Sequence, residues 1–158
     1  MATLTLLRNL DVIFNVDHSV GKYGRNHTAD VQLVQYLLNL VIAKPGGLEL
    51  TPLGVPKLLV TSGICTRETN DVILWFQKTN NSLFNVGLAE DATINHADDL
   101  SYPLPHRSRY TIYHLNHWLK LGGRLPLKVA DIPPFQPLRS ELEKGLRKSG
   151  NRTSYIAS

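Results

Sequence analysis

The chain has 158 residues, 42% apolar and 19% charged, a balance that fits one globular domain with a sizeable core. Its single cysteine, Cys65, excludes an intrachain disulfide framework and a multi-cysteine metal site. The net charge of +4 lies wholly in residues 122–158, which hold seven Lys/Arg against three Asp/Glu; residues 1–121 hold ten of each, and this neutral body, with no basic run interleaved with aromatics, argues against a nucleic-acid partner.

Residues 1–10 contain Arg8 and Asn9 and lack the long apolar core and small-residue cleavage site of a signal peptide. Synthesis in the cytoplasm without a signal peptide is therefore expected. No stretch approaches the length of a membrane span. Residues 4–6 and part of 12–16 alternate in polarity, which predicts two short strands or an extended arm. Residues 17–26 are turn-rich; Gly21-Lys22 lacks the frame of a phosphate-binding loop.

A first helix is predicted from Thr28 or Asp30 to about residue 43. Val31, Val34, Gln35, Leu38, Val41 and Ile42 form one stripe, and Leu33, Leu37 and Leu40 a second apolar face. A helix apolar on two sides is buried on two sides, so it is expected at the centre. Gln35 lies within the apolar stripe, where an amide needs partners; its expected role is to hydrogen-bond loop backbone. The Gly- and Pro-rich residues 44–57 form a loop.

Residues 60–77 read as a strand end, a turn at Ser62-Gly63, a Thr66 N-cap and a second helix from Glu68. Thr69, Val72, Ile73 and Phe76 share one stripe, flanked by Trp75 and Gln77, and Asn80-Asn81 ends the helix. A third helix is predicted from a Ser108 cap to Gly122-Gly123. Ile112, Leu115 and Leu119 face the core with Trp118 beside them, while Tyr110, Tyr113, His114 and His117 face the other way. That second face suits stacking on a sugar or packing against a partner, unless residues 125–138 cover it. His114 and His117, with no third ligand beside them, make a poor zinc site, so no metal and no cofactor is expected. A short helix over residues 140–148 follows, and residues 150–158 are expected to be disordered unless bound.

The stretch at residues 60–77 resembles the signature of the peptidoglycan-binding-like domain, a small three-helix module. Gly63, Thr69, Ile73, Phe76 and Gln77 stand in register with it, and Asp30, Val31, Val34, Gln35 and Leu38 follow the family's first-helix pattern. Residues 91–94 resemble a second copy of the turn signature with Ala92 in place of glycine; Ser62, Cys65 and Val72 also depart from the pattern. The likeness spans residues 28–119. It implies a mainly α fold with a compact three-helix core at residues 28–121; outside the likeness, an extended arm is expected at residues 1–27 and a basic, proline-containing extension at residues 122–158.

By the same likeness, Val31, Gln35, Gly63, Thr69, Phe76 and Gln77 are structural positions. The expected function is attachment to bacterial cell wall, or delivery of a partner to it, without catalysis. No nucleophile, base and orienter stand in a recognisable frame. The alternative is a cytoplasmic adaptor of a phage tail or contractile secretion system, holding a protein through Tyr110, Tyr113, His114 and His117. A wall-binding chain without a signal would leave the cell through phage lysis or a secretion machine.

Overall fold

A computed structural model describes residues 2–6, 11–43, 54–97, 110–119, 123–124, 127–128, 136–148 and 156–157. These residues are mainly helical, with short strands. In chain order they form β1 (Thr3–Leu6), β2 (Asp11–Asn15), β3 (Val20–Gly21), α1 (Thr28–Ala43), α2 (Arg67–Phe84), β4 (Thr93–Ile94), α3 (Thr111–Leu119), β5 (Gly123–Arg124), β6 (Leu127–Lys128), α4 (Leu138–Lys148) and β7 (Ile156–Ala157).

The two-sided apolarity of α1 does what it predicts. Val31, Leu33, Val34, Leu37, Leu38 and Val41 are all buried, and α1 contacts α2, α3 and α4. Buried side chains from residues 1–27 (Ala2, Phe14, Val16) and from residues 122–158 (Leu138, Leu142) join the same cluster. On α2, Val72, Ile73, Trp75 and Phe76 enter this core. On α3, Ile112 and Leu115 are buried and Trp118 and Leu119 pack against it.

Helix ends differ from the sequence expectation where side chains supply unforeseen caps. Thr66 does cap α2, accepting the Thr69 N–H at 3.3 Å. The helix then runs past Asn80-Asn81 to Phe84. It ends at Asn85, which takes a left-handed conformation (φ 50°) and donates its N–H to the Asn81 carbonyl. Asn81 does not break the helix, because its side chain is engaged elsewhere. The last helix starts at Leu138, two residues before Ser140, because the Gln136 side chain accepts the Ser140 N–H and hydroxyl at 3.3 and 2.6 Å. The Ser108 cap and the Gly122 stop lie outside the described residues.

β1 and β2 pair antiparallel, with Thr3 opposite Asn15, and β2 pairs with β5. β3 and β4 form a two-residue antiparallel bridge. β7 pairs parallel with β6, so Ile156 and Ala157 belong to a ladder, not to the disordered end expected.

A recurring device fastens loops and strands to neighbouring elements. A side-chain amide has one acceptor and one two-proton donor, so it can bind a backbone N–H and a backbone C=O together, as a neighbouring strand would. Asn39 does this to Leu59, Asn81 to Leu88, Asn116 to Phe14 and Asn15 to Ala97. Gln32 likewise accepts from Leu138 and donates to the Gln136 carbonyl. These bonds satisfy backbone groups that the short strands leave without a ladder.

Candidate functional site

The positions matched to the peptidoglycan-binding-like pattern form two copies of one arrangement. In the first, Gln35 of α1 accepts the Gly63 N–H at 3.0 Å and donates to the Ile64 carbonyl and the Thr69 hydroxyl. In the second, Gln77 of α2 accepts the Ala92 N–H at 3.0 Å and donates to the Thr93 carbonyl and the Thr111 hydroxyl. Gly63 and Ala92 both have positive φ, 79° and 56°. Four residues after each glutamine comes an asparagine, Asn39 or Asn81. Each clamps the residue four before the turn, Leu59 or Leu88. Each unit therefore joins a helix, a left-handed turn and the first residues of the next helix. Val31, Gln35, Gly63, Thr69, Phe76 and Gln77 are all buried, and Gln35 has the backbone-binding role its stripe position predicts.

The α3 face is less open than its periodicity predicts. Tyr110 is half-buried and packs on the core; its carbonyl accepts the Tyr113 and His114 N–H groups and so starts the helix. Tyr113 is half-buried, edge-on to the His114 ring, and His117 is exposed. His114 is only 4% exposed and so lies inside, not on an open face. The reason is that α3 is buried on more than one side: Thr111 reaches Gln77, and Asn116 reaches β2.

A pocket of ≈ 600 Å³ lies between the β2–β3 loop, the start of α1 and α4, lined in part by Asp17, His18, His27 and Glu141. Asp30, fully buried in the first turn of α1, accepts the Asp17 N–H at 2.9 Å and the His18 N–H at 3.1 Å. These bonds hold the loop against the helix. They also bring His18 Nδ1 to 3.5 Å from Asp30 Oδ2 and 3.6 Å from Asp17 Oδ2. The His18 and His27 rings stack, with centroids 3.9 Å apart. His18 Nδ1 and Glu141 Oε2 are buried without a hydrogen-bond partner. Sequence reasoning took Asp30 as a helix-start residue and passed over both histidines. The signal it missed was His27 and Asp30 at i, i+3, with His18 one turn-rich loop upstream.

A second exposed feature is apolar. Leu58, Val60 and Ile64, 63%, 80% and 68% exposed, alternate outward along the extended segment before α2, while Leu59 and Gly63 turn inward onto α1. Among the described residues, no helix is long and apolar enough to cross a membrane. Compared with family models, with curated proteins and with solved structures, the chain matches none.

Proposed function

We propose that the chain is a non-catalytic, peptidoglycan-binding-like module that attaches to bacterial cell wall or carries a partner to it. The observation that supports this reading is the doubled glutamine clamp. Gln35 and Gln77 occupy the positions that the family resemblance singles out, and both make the same set of bonds to turn and helix start. A motif matched only by letters has little weight. Here the matched letters share one geometry twice. The three-helix core of this reading is α1, α2 and α3.

The test is co-sedimentation with insoluble peptidoglycan. The purified chain is expected to pellet with sacculi and to release no soluble muropeptides. Failure to pellet with sacculi of several chemotypes would refute wall attachment, and released fragments would refute the absence of catalysis.

The exposed apolar row at Leu58, Val60 and Ile64 supports a second reading, an adaptor of a phage tail or contractile secretion system that holds a partner protein. Tyr113 and His117 on α3 would offer a separate contact to the partner. A partner purified with the wild type and lost from both a Val60→Glu and a Tyr113→Ala, His117→Ala variant, with no wall binding, would favour the adaptor.

A further inference from the structure

We propose that His18, His27 and Asp30 form a binding site for a zinc-like divalent cation. The three side chains offer ligand atoms that all lie within 4.8 Å of one another. Bonds of 2.0–2.2 Å at the tetrahedral angle place two ligand atoms about 3.3–3.6 Å apart. His18 Nδ1 stands at that spacing from Asp30 Oδ2, at 3.5 Å, within ion-pair reach of the carboxylate but without a hydrogen bond to it. An ion between them would satisfy a buried ring nitrogen that lacks a partner.

The donor set selects the ion. Two imidazoles and a carboxylate suit zinc and its borderline neighbours, and suit magnesium or calcium poorly because those ions take oxygen ligands. Asp30 is oriented by the Asp17 and His18 backbone N–H groups, which hold its carboxylate against the His18 ring. His27 is exposed, and to share an ion with His18 its ring would have to turn out of the stack the two rings now form. The start of α1 carries roughly half a positive charge, which opposes a cation. The Asp30 carboxylate beside His18 and the Glu141 carboxylate on the pocket wall act against that charge. The ion would tie the β2–β3 loop to α1, the helix at the centre of the core. This inference stands apart from wall binding, since neither needs the other.

The experiment is titration of the chelator-stripped chain with Zn²⁺ against a chromophoric competitor, with Co²⁺ as an optical probe of tetrahedral coordination. One ion per chain is expected, with visible d–d bands for Co²⁺. His27→Ala, at an exposed position, keeps the fold and is expected to weaken Zn²⁺ roughly tenfold or more, as is His18→Gln. His117→Ala, at an exposed histidine of α3, leaves the affinity unchanged. Uptake well short of one equivalent would overturn the proposal, and so would a His27→Ala chain that binds as tightly as the wild type.

Discussion

Gln77 holds Ala92 in a left-handed conformation: its side-chain carbonyl accepts the Ala92 N–H at 3.0 Å while Ala92 sits at φ 56°. An L-residue with a Cβ disfavours that region by about 1–2 kcal/mol. The turn keeps it because Gln77 also binds the Thr93 carbonyl and the Thr111 hydroxyl, and because Lys22 donates to the Ala92 carbonyl at 3.0 Å. Gln77 thus joins α2, β4 and α3 through one buried amide. Gln77→Leu keeps the size but takes a partner from the Ala92 N–H, the Thr93 carbonyl, the Thr111 hydroxyl and Asp91 Oδ1, of which Asp91 still accepts the Thr93 N–H. Leaving buried donors or acceptors unpaired costs about 1–3 kcal/mol each, so a loss of about 3 kcal/mol or more is expected. It is read as a lower urea midpoint at unchanged slope.

The two turns share a left-handed residue, so reverse exchanges there are expected to have opposite effects. At Gly63, φ is 79° and an added Cβ would meet Thr28 Cγ2 at 2.5 Å and the Thr28 carbonyl at 3.0 Å. Gly63→Ala is expected to cost at least about 1–2 kcal/mol from the backbone alone. Ala92→Gly relieves the same backbone strain and gives up one buried methyl worth about 0.8 kcal/mol. Its expected result is no loss of stability and a gain of up to about 1 kcal/mol. Thermal unfolding of the two variants checks the contrast; a Gly63→Ala chain as stable as the wild type would contradict it.

What the sequence made legible was local. Periodicity placed α1 at the centre, because an amphipathic pattern with two apolar faces needs cover on both. Gln35 could be assigned its role, because an amide in an apolar stripe has to find backbone partners. The Asn81 clamp was mistaken for a helix stop, since asparagine is a poor helix former unless its side chain is engaged. The Asn116 clamp on Phe14 and the Asn15 clamp on Ala97 span 102 and 82 residues, and no short-range pattern carries such pairings. The same holds for the His18 pocket: Glu141 reaches it from the far end of the chain, and a loop fold brings the two histidines together. The face of α3 was misjudged at His114 because periodicity shows which side is apolar, not how many sides are covered.

Phe76 tests the core itself. Its side chain is buried and meets the Trp118 ring edge-on, with centroids 6.5 Å apart. Phe76→Ala is expected to cost roughly 3–5 kcal/mol through lost transfer energy and the cavity left behind. A denaturant-derived loss below about 1 kcal/mol would mean that the α2 stripe does not face a packed interior.

Cys65 gives a prediction in pH. Burial pushes its thiol above the ordinary value of 9.0, and its S–H donates to Asn70 Oδ1 at 3.2 Å, which also favours the protonated form. The thiolate is the reactive species, so native chain at about pH 7.5 should be alkylated by iodoacetamide more slowly than chain unfolded in urea. The sign for stability follows from the same shift. Below pH 9.0 both folded and unfolded thiols hold their protons, and the folded state keeps the full benefit. Above it the unfolded thiol ionises first, so this contribution is lost as pH rises through the folded value. A Cys65→Ser chain should therefore lose less stability than the wild type between about pH 8.5 and 10, because serine does not ionise there. Equal alkylation rates for native and unfolded chain would show that Cys65 is neither shielded nor held by Asn70.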